Sequence, residues 1–114
     1  MHMYNKEIHT DIPPGTLYML ILKTLARGPL HGYGIAQQIK RTSDDVLRVE
    51  EGSLYPALQR MLAKRWVTAE WVSAGPKRRA RVYSLTPAGQ KQLDIEVAGF
   101  SRAMAAVTRV IQPA

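Results

Sequence analysis

Lys77, Arg78, Arg79 and Arg81 set four cations within five residues of a segment that reads SAGPKRRAR. Ammonium and guanidinium groups at that density, with no acid among them, suit one chemistry above others: neutralising phosphate. The remaining candidates for chemistry are sparser. His2, His9 and His31 have no acidic partner at triad or metal-ligand spacing. Asp44-Asp45 and Glu50-Glu51 are adjacent carboxylates in polar surroundings, where such pairs are usually solvated or cap a helix. HGYG, His31 to Gly34, precedes a helical pattern but has neither the lysine of a phosphate loop nor an upstream strand. Cysteine is absent, which removes thiolate metal sites and disulfides. The expectation is a protein that is not an enzyme and uses neither cofactor nor metal.

The charge is polarised along the chain. Between Arg60 and Arg81 lie seven basic residues (Arg60, Lys64, Arg65, Lys77, Arg78, Arg79, Arg81) and one acid, Glu70, so this window carries +6 of the total +7. Asp44 to Glu51 carries four acids and one arginine, a local −3. At 114 residues, 46% hydrophobic and 22% charged, the chain is expected to be a single globular domain. Its longest apolar run, Leu17 to Leu22, is too short to span a bilayer. Met1 to Asp11 is polar without a signal-peptide core, so the expected location is cytoplasmic.

Hydrophobic spacing supplies the elements that must carry those charges. Pro13-Pro14 places the start of a first helix near Thr16, and Leu17, Leu20, Ile21 and Leu25 sustain it until Gly28-Pro29. A short second helix is expected from about Tyr33 to Arg41, then a polar turn over Thr42 to Val49. A third helix runs from about Gly52 to Lys64, with Leu54, Leu58, Met61, Leu62 and Arg65 near one face and Ser53, Pro56, Arg60, Ala63 and Lys64 opposite. Pro56 is tolerable there because it falls in the first turn, where its missing N–H has no acceptor. Trp66 to Val72 and Ala80 to Leu85 read as strands joined by a seven-residue basic loop, Ser73 to Arg79. Thr86-Pro87 is a cap followed by a first-turn proline.

The last helix, about Pro87 to Ile111, carries Leu93, Val97, Phe100, Met104, Val107 and Ile111 on one stripe. At ~1.5 Å per residue it is about 37 Å long, more than a domain of this size covers. A second copy of the chain would cover the rest, so a homodimer is expected. The order helix, helix, helix, strand, basic turn, strand, long helix is that of a winged helix-turn-helix: mainly α with a small β-hairpin. Residues 1–14 are expected as an N-terminal arm, 15–86 as the winged domain and 87–114 as the dimerisation helix.

In a helix-turn-helix the second helix of the pair enters the major groove by its N-terminal residues. Here that gives Ser53, Tyr55, Pro56, Gln59 and Arg60, with Lys64 farther along for phosphate. Gln59 suits adenine and Arg60 guanine, while Pro56 offers an apolar contact to a thymine methyl. Tyr55 falls between faces, its ring toward the core and its hydroxyl free for phosphate. Lys77, Arg78, Arg79 and Arg81 form a wing for the backbone or minor groove.

Three segments together resemble the PadR family of transcriptional regulators. They are Leu30 to Ile35 (LHGYGI), Glu51 to Leu58 (EGSLYPAL), and Arg79 to Tyr83 leading into Leu85 to Gly89 (LTPAG). GPLHGYGIAQ, VEEGSLYPAL, Trp66 and Glu70-Trp71 look closest to the acidobacterial-type subgroup, and the layout is similar to the short subfamily with one C-terminal helix. The resemblance implies a dimeric DNA-binding regulator, usually a repressor, on a palindromic site in double-stranded DNA. It places Tyr33 at a phosphate, Ser53, Tyr55 and Pro56 at the operator, and Lys77 to Arg81 in the wing. Some relatives respond to phenolic acids or planar drugs, which makes the Phe100–Met104 region a candidate site for a small aromatic effector. The alternatives are a winged-helix module that binds an acidic protein surface, and a dimeric small-molecule sensor without direct DNA readout. Two positions depart from the family: Arg65 stands where glycine is common at the helix end, and Leu62 where relatives often carry a charge. Arg65 must either adopt a left-handed cap or end the helix differently.

Overall fold

The computed structural model describes residues 12–13 and 15–113, so the expected arm over residues 1–14 lies almost wholly outside the described residues. The elements are α1 (Leu17–Ala26), β1 (Leu30–His31), α2 (Gly32–Thr42), α3 (Glu51–Ala63), β2 (Val67–Gly75), β3 (Arg78–Leu85) and α4 (Pro87–Ile111). The helices lie within a residue or two of the spans that periodicity predicts.

Local chemistry sets each boundary. Before α1, the Thr16 hydroxyl donates to the Pro13 carbonyl at 2.7 Å. Gly28, at φ +149°, and the proline after it stop the helix. His31 then caps α2, its Nδ1 accepting the Gly34 N–H at 3.0 Å. Thr86 caps α4 in the same way, accepting the Gly89 N–H at 3.0 Å, and Pro87 opens the first turn.

The core lies between α1, α2, α3 and the sheet. Ile21, Leu22, Ile35, Leu54, Leu58, Met61 and Val67 are all fully buried within it. Tyr83 closes it from the sheet and Leu93 from α4. Leu93, expected on the dimer stripe, is only 3% exposed and belongs to the chain's own core. The stripe changes partner at that point: the first turns of α4 pack on α1, and beyond Leu93 the large apolar residues emerge into solvent.

Two features of the sheet differ from expectation. Leu30 and His31 pair with β3, opposite Tyr83 and Val82, giving a three-stranded sheet in the order β1-β3-β2. A two-residue strand carries no period of its own, so only the distant partner reveals it. The hairpin is also longer and tighter than a seven-residue loop allows. Ser73 to Gly75 and Arg78-Arg79 belong to the strands, and the turn is Pro76-Lys77 alone. Pro76 fixes a negative φ at the first turn position and so rules out the primed turns that usually match strand twist. The chain compensates with a register shift between Ser73 and Gly75 and positive φ at Gly75 (+127°) and Lys77 (+60°).

The α3–β2 junction resolves the question of Arg65. Trp66 N–H bonds to Met61 O and Arg65 N–H to Leu62 O, each at 3.0 Å, the two bonds of a Schellman end. Arg65 occupies the left-handed position at φ +63°, so the helix keeps the glycine-type stop without the glycine. Arg65→Gly removes the left-handed cost and adds unfolded-chain entropy; the expected net gain is about 0.5–1 kcal/mol. Urea unfolding checks it, and an unchanged or lower midpoint refutes the strain.

Candidate nucleic-acid interface

Helix α3 sorts its side chains at about 100° per residue. Leu54, Ala57, Leu58 and Met61 point into the core. Gly52, Pro56, Gln59 and Ala63 project the opposite way, and all four are exposed. Tyr55 lies on one flank of this outer face, and Ser53, Arg60 and Lys64 on the other. The outward surface of α3 is therefore low in charge, with Gln59 as its central hydrogen-bonding side chain.

The Tyr55 flank meets the start of α2. A Cβ built on Gly32 would lie 2.7 Å from the Tyr55 ring, so the absence of a side chain at Gly32 makes room for the tyrosine. Burial, then the Glu51 carboxylate and then Tyr83 push the Tyr55 hydroxyl above its ordinary pKa. It stays protonated at neutral pH, a donor suited to phosphate oxygen. Beside it, Tyr33 is exposed at the N-terminus of α2 and stacks on His31 with centroids 6.5 Å apart. The Tyr33 hydroxyl accepts a hydrogen bond from Gln37 Nε2 at 3.0 Å. The fold thus sets the Tyr55 ring against Gly32 and leaves Tyr33 exposed one residue on, both at the positive end of the α2 dipole.

On the opposite flank Arg60 finds a partner within the chain. Arg60 Nε donates to the Tyr18 hydroxyl, with the guanidinium 5.7 Å from the Tyr18 ring centroid. Tyr18 packs edge-on against Trp66, and Lys64 Nζ sits 5.2 Å from the Trp66 centroid. The helical phase turns Arg60 toward α1, where a phenol receives it, and away from the face that projects Gln59. A guanine contact by Arg60 would require breaking that bond. Ser53 stands on the same side, in a cleft it shares with Gly15, Leu17 and Arg48.

Beyond the core the hairpin carries the remaining cations. Strand alternation places Tyr83, Arg81 and Arg79 on one face of β3, with Trp71 of β2 directly opposite Arg81. The Arg79 and Arg81 guanidinium carbons lie 4.9 and 5.8 Å from the Trp71 centroid, and Arg81 also lies 5.9 Å from Tyr83. Lys77 occupies the turn and Arg78 pairs with Gly75 at its base, both exposed. Sequence reasoning gave Trp71 no role. Its signal was available: an aromatic on one strand of a hairpin whose partner strand repeats arginine at every second residue. The acidic segment lies elsewhere, with Asp45 paired to Lys40 at 3.7 Å and Arg48 at 3.4 Å. Among the described residues no helix is long and apolar enough to cross a membrane, and no three His, Asp or Glu residues gather as a metal site.

A helix pair with an exposed outer face, followed by a hairpin with a cationic end, defines a winged helix-turn-helix protein. The chain belongs to the transcriptional regulator PadR-like family, whose model matches residues 21–95. It is 43% identical over 84 residues to an uncharacterized 37.1 kDa protein in transposon TN4556 of Streptomyces fradiae, covering 74% of this chain but 23% of that protein. A transcriptional regulator from Clostridium thermocellum superposes with a TM-score of 0.80 at 21% identity, covering 86% of this chain and 95% of that one, a likeness of fold. Bacillus subtilis PadR, solved in complex with operator DNA, gives a TM-score of 0.65 at 26% identity over 71% of this chain and 46% of that one. By sequence the same Bacillus subtilis protein, a negative transcriptional regulator, is 27% identical over 73 residues, covering 64% of this chain and 40% of its own length.

Proposed function

We propose that this PadR-family chain is a homodimeric, sequence-specific DNA-binding repressor. Helix α3 enters the major groove with Gln59 and Pro56 at base edges and Tyr55 at a phosphate. Tyr33 meets the backbone from α2, and the wing of Lys77, Arg78, Arg79 and Arg81 meets the backbone or minor groove. The observation that carries this reading is the pairing of an exposed α3 face, formed by Gly52, Pro56, Gln59 and Ala63, with a hairpin that exposes the cations Lys77, Arg78 and Arg79. Phosphate contacts then position the chain and Gln59 specifies. Repression follows if the occupied site overlaps a promoter, and the Bacillus subtilis relative supports that sign.

The dimer rests on α4. Val97, Phe100, Met104, Val107 and Ile111 are 38% to 73% exposed along one stripe, a surface that a second α4 would cover. Two chains related by a two-fold carry their reading helices to major grooves about 34 Å apart, hence a palindromic site. A small aromatic effector is a second element of the reading. An open cleft of about 900 Å³ between α1 and α4 is lined by Tyr18, Arg60, Phe100 and Met104, where a planar acid would find rings and a cation.

The test is selection of genomic fragments by the purified chain, followed by titration of the selected duplex. Gln59→Ala should flatten the preference at one position of each half-site, where discrimination is worth ~1–3 kcal/mol. A uniform loss across all sequences removes Gln59 from base readout. No retardation of any duplex at ~100 mM salt favours the protein-interaction alternative. Addition of a phenolic acid to the bound complex tests the effector, and undiminished binding counts against it.

A further inference from the structure

The outer half of the hairpin holds an aromatic residue in an unusual setting. Trp71 is 55% exposed, yet two guanidinium groups lie over its ring, Arg79 at 4.9 Å and Arg81 at 5.8 Å from the centroid. An indole in a strand normally sits in the core or at an interface, because its apolar area is large. Here the strand has already left the core: Val67 is buried on the same face of β2, and Trp71 stands beyond the core's edge. The hairpin's acid, Glu70, belongs to the opposite face by alternation and lies across from Val82. Among the described residues neither Arg79 nor Arg81 forms an ion pair.

The difference between stacking and ion pairing matters to a cation that must later meet phosphate. A carboxylate would occupy the N–H edge of the guanidinium, the edge a phosphate needs. An aromatic ring takes the flat face and leaves the in-plane N–H groups free. The ring also restricts a long side chain before any partner arrives, which reduces the ordering cost of binding. Arg81 is held from two sides, by Trp71 and by the Tyr83 ring at 5.9 Å, and its Nε is buried without a partner, so its free donors are the terminal nitrogens.

We propose that Trp71 is a positioning residue of the wing: it holds Arg79 and Arg81 as a pre-set pair, faces covered and N–H edges open, for two phosphates of a duplex. The proposal rests on the DNA-binding reading above, and assigns Trp71 no direct contact with DNA.

The experiment has two arms. In the free protein, NMR of the arginine side chains should show upfield ring-current shifts for Arg79 and Arg81 that vanish in Trp71→Ala; arginines shifted equally in both proteins overturn the stack. On DNA, affinities are measured at one salt concentration for the wild type, Trp71→Ala, Arg79→Ala/Arg81→Ala and the triple variant, with far-UV circular dichroism confirming the fold of each. Trp71→Ala should weaken binding roughly tenfold, Trp71→Phe should restore most of the loss, and the triple variant should match the double. An equal loss from Trp71→Ala with and without the arginines makes the indole a direct contact and overturns the proposal. No loss at all overturns it too. A wild-type chain that retains no duplex defeats the parent reading and this one together, whereas intact duplex binding with absent coupling defeats this one alone.

Discussion

Replacing Lys77 and Arg78 with alanine is expected to lower the salt slope of duplex binding by about 3.6 units per dimer, at ~0.9 per phosphate contact and two contacts in each chain. Between ~50 and ~200 mM salt, that difference amounts to about 150-fold in how steeply the two proteins lose affinity. These cations suit the measurement because they carry charge without holding the hairpin together. Lys77 lies in the turn at φ +60° and Arg78 opposite Gly75, both exposed, while the Trp71 stack involves neither. Alanine bears the same left-handed penalty as lysine, so the turn itself is not the variable. A slope that stays constant takes the tip off the DNA and leaves α3 to account for binding alone.

The second large effect concerns stability. A Cβ built on Gly89 would stand 2.1 Å from the Trp66 carbonyl oxygen and 2.7 Å from Leu85 Cδ1. Leucine can move, but a backbone carbonyl in a helix-to-strand junction cannot. Gly89→Ala must push the first turn of α4 away from that junction. The same motion opens the Thr86 bonds, in which the hydroxyl donates to Arg65 O at 2.7 Å or Trp66 O at 3.0 Å while accepting the Gly89 N–H. The expected loss is about 3 kcal/mol, or roughly 10–15 °C in midpoint for a domain of this size. Thermal unfolding at fixed protein concentration measures it, since any association makes the midpoint depend on concentration. A variant as stable as the wild type would show that the close approach is slack.

Much of this architecture is legible in the sequence, and the missing parts share a cause. Pro13, Gly28-Pro29 and Thr86-Pro87 mark helix ends through chemistry contained in two or three residues, and the structure ends its helices there. Pro56, expected in the first turn, is instead the sixth residue of α3 and lies in its second turn, where an N–H would have met the Gly52 carbonyl. By contrast, β1 exists because Leu30 meets Tyr83, Arg60 turns toward α1 because Tyr18 is there, and Leu93 is buried because α1 reaches it first. No window of neighbouring residues contains those partners. The hairpin failed for a local reason: a glycine and a proline in SAGPKRR look like a loose loop, whereas a bulge and two positive φ values let the strands run almost to the proline.

The joint at Thr86 gives α4 a second character. Thr86 N–H bonds to Trp66 O at 3.1 Å and its hydroxyl reaches the same short stretch, so the end of α3 and the start of α4 share one bolt. From that bolt α4 extends 25 residues, about 37 Å at ~1.5 Å per residue. It is a lever with its fulcrum against the winged domain and its exposed apolar residues at the far end. By that length, a tilt of about 5° at the joint moves the tip by about 3 Å. Conversely, if two chains pair through their α4 tips as proposed, the angle at which the tips cross is handed back to the two α3 helices as a fixed separation.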